Sequence, residues 1–250
     1  MSLLVFLTLA SIAASGCAFL FGEGEKEPKK VAAYQPSFTY AARASESKVD
    51  VTIGLVNPQF TGDGVSYWQQ NQNDEVVRNM VRALKASFNS LLVTKGFSVA
   101  GPFDSINDMT FPEKRGSDVV LYAELDVNGG YHVTNVRKDV DYGVLGATEV
   151  VRCDVRIAPS GSVQLIANEP MTGEKVWVKR IDVTQPPINL GGTGQVCAGK
   201  AVTQEIRNAW GQAHEALYKM VMGALDRYVT ADEFVVLKQQ AADLKSRKGY

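Results

Sequence analysis

The first seventeen residues determine which part of the chain can fold. An apolar stretch of about a dozen residues begins at Leu3 and ends in the small-residue run Ala14-Ser15-Gly16-Cys17. It has the length of the apolar region of a signal peptide and is shorter than the ~20 residues that span a bilayer. Small residues directly before a cysteine are typical of the bacterial lipobox. We therefore expect residues 1–16 to be removed as a lipoprotein signal peptide and the mature chain to begin at a diacylglyceryl-modified Cys17.

An ordinary secretory signal peptide, with Cys17 incidental, is the alternative interpretation. No Lys or Arg precedes the apolar stretch, and Ala14 stands where leucine is commonest in a lipobox. Both interpretations export the protein. They differ in whether a lipid anchors it.

A polar segment follows the predicted anchor. Residues 22–30 read Gly-Glu-Gly-Glu-Lys-Glu-Pro-Lys-Lys, which is too polar to bury a core. We expect residues 17–36 to be the lipid anchor and a flexible tether, and residues 37–250 to form a single α+β domain. Ala18, rather than an acidic residue, favours sorting to the outer membrane. The side of the membrane that the domain faces is left open.

The composition excludes several classes of function. The chain has 26 Lys and Arg against 27 Asp and Glu, a net charge of −1, and 45% apolar residues. This balance offers no basic surface to nucleic acid and is ordinary for a globular domain.

His132 is expected at the surface, and His214 on a helix away from its apolar face. Neither has metal-ligand spacing to a cysteine or to the other histidine, so we expect no metal and no cofactor.

Cys153 and Cys197 are the two cysteines that remain once Cys17 is acylated. An even pair of cysteines in an exported protein is a disulfide candidate. The closed loop of about 45 residues would contribute ~4 kcal/mol in the chain-entropy model. Two separate buried thiols are the open alternative.

The hydrophobic pattern divides the domain into strands and helices. Alternation predicts strands at 47–56, 119–127, 150–157, 162–167 and 174–183, with a short one from residue 97. Steps of three and four residues predict helices near 74–94, 203–229 and 230–248. Turn residues between the last three strands indicate an antiparallel meander. The order predicts the α+β class: a curved antiparallel β-sheet with helices packed on one face and a C-terminal helical extension.

Patterns that resemble catalytic motifs are each incomplete. Gly194–Lys200 matches the first half of a P-loop, but Ala201 stands where Ser or Thr would hold Mg²⁺. The carboxylate pairs, Asp74-Glu75 and Asp139 with Asp141, are typical of solvated charges in loops and at helix starts. The sequence has no Gly-x-Ser-x-Gly nucleophile elbow. We therefore expect no enzymatic activity.

Tyr67 and Trp68 follow Gly62-Asp63-Gly64 in a polar segment, 61–72, predicted as a loop. Exposed aromatic side chains on a glycine-rich loop suit protein partners or sugar faces. We therefore predict both as ligand-binding residues. A lid packed on the core is the open alternative.

Several segments resemble one family of lipoproteins. They are Val81–Ser98, Tyr122–Gly129, Leu165–Glu174 and the C-terminal stretches around Ala216–Met220 and Gln240–Lys245. With the lipobox cysteine, they are similar to the neuraminyllactose-binding haemagglutinin lipoproteins, the HpaA-type flagellar sheath adhesins. The resemblance covers nearly all of the mature chain and implies an outer-membrane or sheath lipoprotein with an α+β body.

The family resemblance also implies a candidate glycan site. The proposed sialic-acid-binding element of that family is a short segment rich in Lys and Arg after the third strand. Here the segment keeps only Arg137 and Lys138, and Asp139 and Asp141 would oppose a sialyl carboxylate. We predict Arg137 and Lys138 as the ligand-binding candidates and expect weak or no sialyl-lactose binding.

Together these observations predict a non-enzymatic outer-membrane lipoprotein, a component of the envelope or flagellar sheath with an adhesion role. Its partners would be the membrane, through the N-terminal lipid, and envelope proteins or host glycans. The alternative is a periplasm-facing assembly module that binds other envelope proteins through its sheet edge or C-terminal helix. The oligomeric state is left open.

Overall fold

A computed structural model describes residues 31–45, 47–143 and 146–249. The predicted signal peptide, Cys17 and most of the predicted tether lie outside the described residues. The compact unit begins at Ala32, five residues before the predicted domain start, because the segment after Ala32 packs on a helix. Within the described residues no helix is long and apolar enough to cross a membrane.

The unit contains nine strands and five α-helices in its described part. The strands are β1 Thr52–Val56, β2 Gln59–Phe60, β3 Ser98–Phe103, β4 Val119–Asn128, β5 Tyr131–Gly143, β6 Gly146–Ile157, β7 Ser160–Asn168, β8 Lys175–Asp182 and β9 Ile188–Thr193. The helices are α1 Asp63–Asn71, α2 Glu75–Thr94, α3 Phe111–Gly116, α4 Gln204–Tyr228 and α5 Ala231–Arg247. The predicted helices and the predicted strand at 119–127 are confirmed to within two residues at each end.

The larger sheet has the order β3-β1-β4-β7-β8, and β2 pairs with β4. The α+β class is confirmed. The sheet is mixed rather than wholly antiparallel, since β1 runs parallel to β3 and to β4 while β4, β7 and β8 are antiparallel. The connections before β3 and before β4 each contain a helix, and each returns the chain to the end of the sheet at which β1 begins. Crossovers of this kind make neighbouring strands parallel.

The smaller sheet has the order β5-β6-β9 and is antiparallel. The predicted meander is therefore wrong for its first strand, because β6 pairs with β5 and β9, whereas β7 pairs with β4 and β8. β5 lies in a segment that was predicted as a link between strands. The three charged residues from Arg137 to Asp139 interrupt the alternation of polar and apolar side chains that would mark it as a strand.

The three long helices cover one face of the larger sheet. One core joins Ile53 and Leu121 of the sheet to Phe88 of α2, Tyr218 of α4 and Phe234 of α5. The opposite face carries a smaller cluster of Val56, Met109 and Val120 beneath the segment that contains α3. This division agrees with the predicted packing of helices on one face.

The start of the compact unit runs along α4. The side chain of Asn208 accepts a hydrogen bond from the Tyr34 N–H and donates one to the Ala32 carbonyl, both at 2.8 Å. Further along, Glu215 accepts a hydrogen bond from the Ser37 N–H at 2.8 Å. A Cβ at Gly211 would lie 3.1 Å from the Tyr34 ring, so any larger residue would require the ring to shift by a few tenths of an ångström.

Candidate binding arm

The smaller sheet extends beyond its third strand. β9 pairs with β6 only between Arg152 and Ile157. Farther out, residues 137–143 of β5 pair with 146–152 of β6, and within the described chain no third strand pairs with this part of β5 or with β6 before Arg152. We call these two segments the arm. The predicted glycan-binding residues, Arg137 and Lys138, lie in it.

The base of the arm is attached to the body beside Cys153. The structure joins Cys153 to Cys197 by a disulfide, with their Cα atoms 5.5 Å apart. Cys153 also packs with Val155 and Ile157 of β6 and Ile206 of α4 in a separate apolar cluster. The geometry accommodates the predicted bridge between β6 and the turn after β9. The formation of the bridge in the exported protein stays a prediction.

A bulge at Asn135 determines which way the arm residues face. Asn135 has φ 51°, in the left-handed region, and its side-chain amide donates to Asp154 at 2.7 Å. The register shifts by one residue between Thr134 and Arg137. A one-residue shift moves the following side chains to the other face of a strand. The bulge therefore sets the faces of Arg137 and Lys138.

One face of the arm is ionic. Arg137 lies opposite Arg152, and the Asp139 carboxylate accepts from both guanidinium groups at 3.3 Å. Both carboxylate oxygens of Asp141 accept a hydrogen bond from Arg152 Nη2, Oδ1 at 2.6 Å and Oδ2 at 2.8 Å. The hydrogen bond that Arg152 donates to Asp141 raises the pKa of Arg152 above its usual value. The charges on this face are therefore paired with one another.

The other face of the arm is largely apolar. Lys138 lies on it and pairs with Glu149 at 2.6 Å, a hydrogen bond that raises the pKa of Lys138. Val140 is 50% exposed and Tyr142 is 85% exposed. Tyr142 lies opposite Ala147 near the end of the hairpin. This face continues the side of β6 that is buried at Cys153, because residues 147, 149, 151 and 153 share a face.

The two residues predicted to bind a glycan therefore do not form one site. Arg137 and Lys138 are neighbours in a strand, and successive side chains of a strand point to opposite faces. Each also has a carboxylate partner within the arm. An incoming sialyl carboxylate would have to displace Asp139 or Glu149.

The predicted exposure of Tyr67 is wrong. Residues 63–71 form α1 rather than a loop, and the Tyr67 side chain is 4% exposed and hydrogen-bonded through its hydroxyl to His214 Nε2. His214 is fully buried, contrary to the prediction, and burial lowers its pKa. Burial also raises the pKa of Tyr67. Trp68 is half-buried and stacks on Phe60 with the ring centroids 5.1 Å apart. The open alternative, aromatic packing on the core, describes both residues better.

The remaining candidate motifs have structural roles. Asp74 is the N-cap of α2 and accepts from the Val77 N–H at 3.1 Å. Gly194–Lys200 is a turn after the edge strand β9, and α4 begins only at Gln204. No group of three potential metal ligands occurs within the part of the chain that the structure describes. His132 is exposed, as predicted.

Comparison with known proteins gives a structural match only. No protein-family model matches the chain, and no curated protein does. Among solved structures, a protein described as a neuraminyllactose-binding hemagglutinin homolog from Helicobacter pylori matches with a TM-score of 0.54 and 18% identity, over 81% of this chain and 98% of that one. The two chains share a fold. An identity of 18% does not indicate a shared activity.

Two further structures align less well. A lipoprotein from Neisseria meningitidis has a TM-score of 0.26 and 19% identity, over 54% of this chain and 81% of that one. A protein from Xanthomonas campestris has a TM-score of 0.31 and 13% identity, over 85% and 99%. Both scores are too low to support an argument about this chain.

Proposed function

We propose that this chain is a non-enzymatic outer-membrane lipoprotein that binds another protein through the arm. The observation that carries the proposal is the apolar face with Val140 and Tyr142, which is exposed on a two-stranded ribbon that no third strand covers in the described part of the chain. An exposed strand edge offers backbone donors and acceptors to another strand, and exposed apolar side chains are removed from water when a partner packs on the face.

The ion pairs of the arm favour a protein partner over an acidic glycan. Arg137, Arg152 and Lys138 already have carboxylate partners. A ligand carboxylate gains little from a cation whose charge is already paired. An apolar partner surface would contact Val140 and Tyr142 without breaking these pairs.

The location in the envelope rests on the sequence. The small residues before Cys17 predict the lipid anchor, and Ala18 favours the outer membrane. The resemblance to the haemagglutinin lipoproteins, together with the fold shared with the Helicobacter pylori homolog, supports a distant relationship to that family. An adhesion role would follow if the arm faces the outside of the cell.

Photo-crosslinking in cells tests the role of the arm. A photoreactive amino acid at Tyr142 should give a discrete adduct with another protein. The matched control is Phe111 of α3, an aromatic residue that is 62% exposed and lies outside the arm. The same substitution at Phe111 should give no such adduct. Equal adducts at both positions, or none at Tyr142, would contradict the proposal.

Two experiments address the anchor and its orientation. Labelling with a radioactive fatty acid should mark the wild type and not Cys17→Ala; equal labelling would remove the anchor from the proposal. Protease treatment of intact cells should digest the body if it is displayed on the surface, as an adhesin requires. Full protection would indicate the periplasm-facing assembly module instead.

A further inference from the structure

A pocket of 450 Å³ lies where the starts of α2 and α4 meet β5. Asp74 and Glu75 contribute from α2, Arg207 and Trp210 from α4, and Tyr131 from β5. Pockets of this size hold small organic ligands. The pocket is separate from the residues that define the arm.

The pocket is lined by charges of both signs that do not neutralise each other. Glu75 and Arg207 are exposed and form no salt bridge with each other or with any residue in the described ranges. Elsewhere in the molecule, as at Lys138 and Glu149, opposite charges that are neighbours form close ion pairs. Two unpaired opposite charges in one pocket can each bind a different end of a ligand.

A third charge in the pocket is fixed in position. Asp74 Oδ1 accepts from the Val77 N–H at 3.1 Å and from the Trp210 indole N–H at 3.3 Å. No described residue hydrogen-bonds to its other carboxylate oxygen. Asp74 and the half-buried Trp210 ring therefore stand side by side in the wall. A carboxylate next to an indole suits an ammonium group, which gains from both the charge and the ring face.

The rest of the wall is apolar apart from Asn71 and Tyr131, whose hydroxyl is unsatisfied among the described residues. Val76, Val202 and Ile206 line the pocket, and Val202 is 46% exposed. The Tyr131 hydroxyl is buried and has no hydrogen-bond partner within the described chain. A buried polar atom without a partner is uncommon in folded proteins and costly. The apolar wall can receive aliphatic side chains of a ligand.

We propose that this pocket binds a small zwitterion of the amino-acid or short-peptide class. Asp74 and Glu75 receive its ammonium group, Arg207 receives its carboxylate, and Val202 and Ile206 contact its apolar side chains. This activity is independent of the proposed role of the arm.

Isothermal titration of the mature lipoprotein in detergent tests the assignment with three probes. Leucyl-leucine carries both charges, its N-acetyl derivative lacks the ammonium group, and its amide lacks the carboxylate. We expect leucyl-leucine to bind and each blocked form to bind at least about tenfold more weakly, a difference of about 1.4 kcal/mol. Equal affinities for the three probes, or no binding of leucyl-leucine at millimolar concentration, would overturn the proposal.

Three variants assign the charges to residues. Arg207→Gln should lose the preference for leucyl-leucine over its amide and keep the preference over the N-acetyl form. Glu75→Gln should weaken the preference for leucyl-leucine over its N-acetyl form and leave the preference over its amide unchanged. Arg82→Gln, which removes an exposed guanidinium of α2 outside the pocket, should change neither. Unchanged preferences in Arg207→Gln, with a melting temperature equal to that of the wild type, would contradict the role of Arg207.

Discussion

The carboxylate of Glu215 holds the start of the folded chain against α4. It accepts hydrogen bonds from the Ser37 N–H at 2.8 Å and the Tyr34 hydroxyl at 2.5 Å, and it pairs with Lys219 at 2.5 Å. Burial by itself would raise its pKa. The hydrogen bonds from Lys219, Tyr34 and Ser37 outweigh burial and lower the pKa of Glu215 to about 2.

The size of this effect on stability follows from linkage. A pKa lowered from 4.5 to about 2 corresponds to about 3 kcal/mol of folding free energy at neutral pH. Because the pKa is lower in the folded state, this stability is fully present above about pH 5 and is lost as the pH falls toward 2. At pH 3 about 1.4 kcal/mol remains. Glutamine at position 215 keeps neutral hydrogen bonds, so we expect Glu215→Gln to cost about 2 kcal/mol at pH 7.

Denaturant unfolding of the wild type and Glu215→Gln at pH 7 and pH 3 measures both quantities. The free-energy difference should be about 2 kcal/mol at pH 7 and should fall below about 1 kcal/mol at pH 3. The matched control, Glu205→Gln, removes an exposed carboxylate from the same helix and should change stability by less than about 0.5 kcal/mol. A difference that is the same at both pH values would refute the reasoning.

Two further predictions concern the cysteines and the arm. Cys153 and Cys197 should resist alkylation in the oxidised mature protein, and reduction should lower its melting temperature, since the closed loop contributes ~4 kcal/mol in the chain-entropy model; two thiols that are alkylated without reductant would disprove the bridge. Sialyl-lactose should bind the wild type weakly or not at all, and Arg137→Ala with Lys138→Ala should change this little. Sub-millimolar binding that the double substitution abolishes would restore the glycan role.

Local sequence patterns predicted the elements that bury a continuous apolar face. The apolar steps through Met80, Leu84 and Phe88 predicted α2, and its observed bounds are Glu75–Thr94. Val119–Asn128 was predicted equally well because it is apolar at its start and alternates afterwards. In both cases the hydrophobic pattern lies within a single helix or strand, so residues that are neighbours in sequence are sufficient to predict it.

Elements whose hydrophobic pattern is interrupted by polar residues were not predicted. β5 was predicted as a link because the charged run Arg137-Lys138-Asp139 interrupts its alternation of polar and apolar residues. α1 was predicted as a loop because its sequence is polar apart from a few positions. The burial of Tyr67 and His214 depends on a contact across 147 residues. No pattern in the local sequence records such a contact.

The sequence by itself predicts export and lipidation at Cys17 and contains no complete catalytic motif, and it correctly predicted the long helices and the α+β class. Each of these depends on residues that are close together in the chain. The tertiary structure decided the rest. Strand pairing and the bulge at Asn135 decided which face of the arm Arg137 takes and which face Lys138 takes. Helix packing brought Glu75 and Arg207, which are distant in sequence, into one pocket. Pairing and packing join residues that are far apart along the chain, and only the folded chain brings them together.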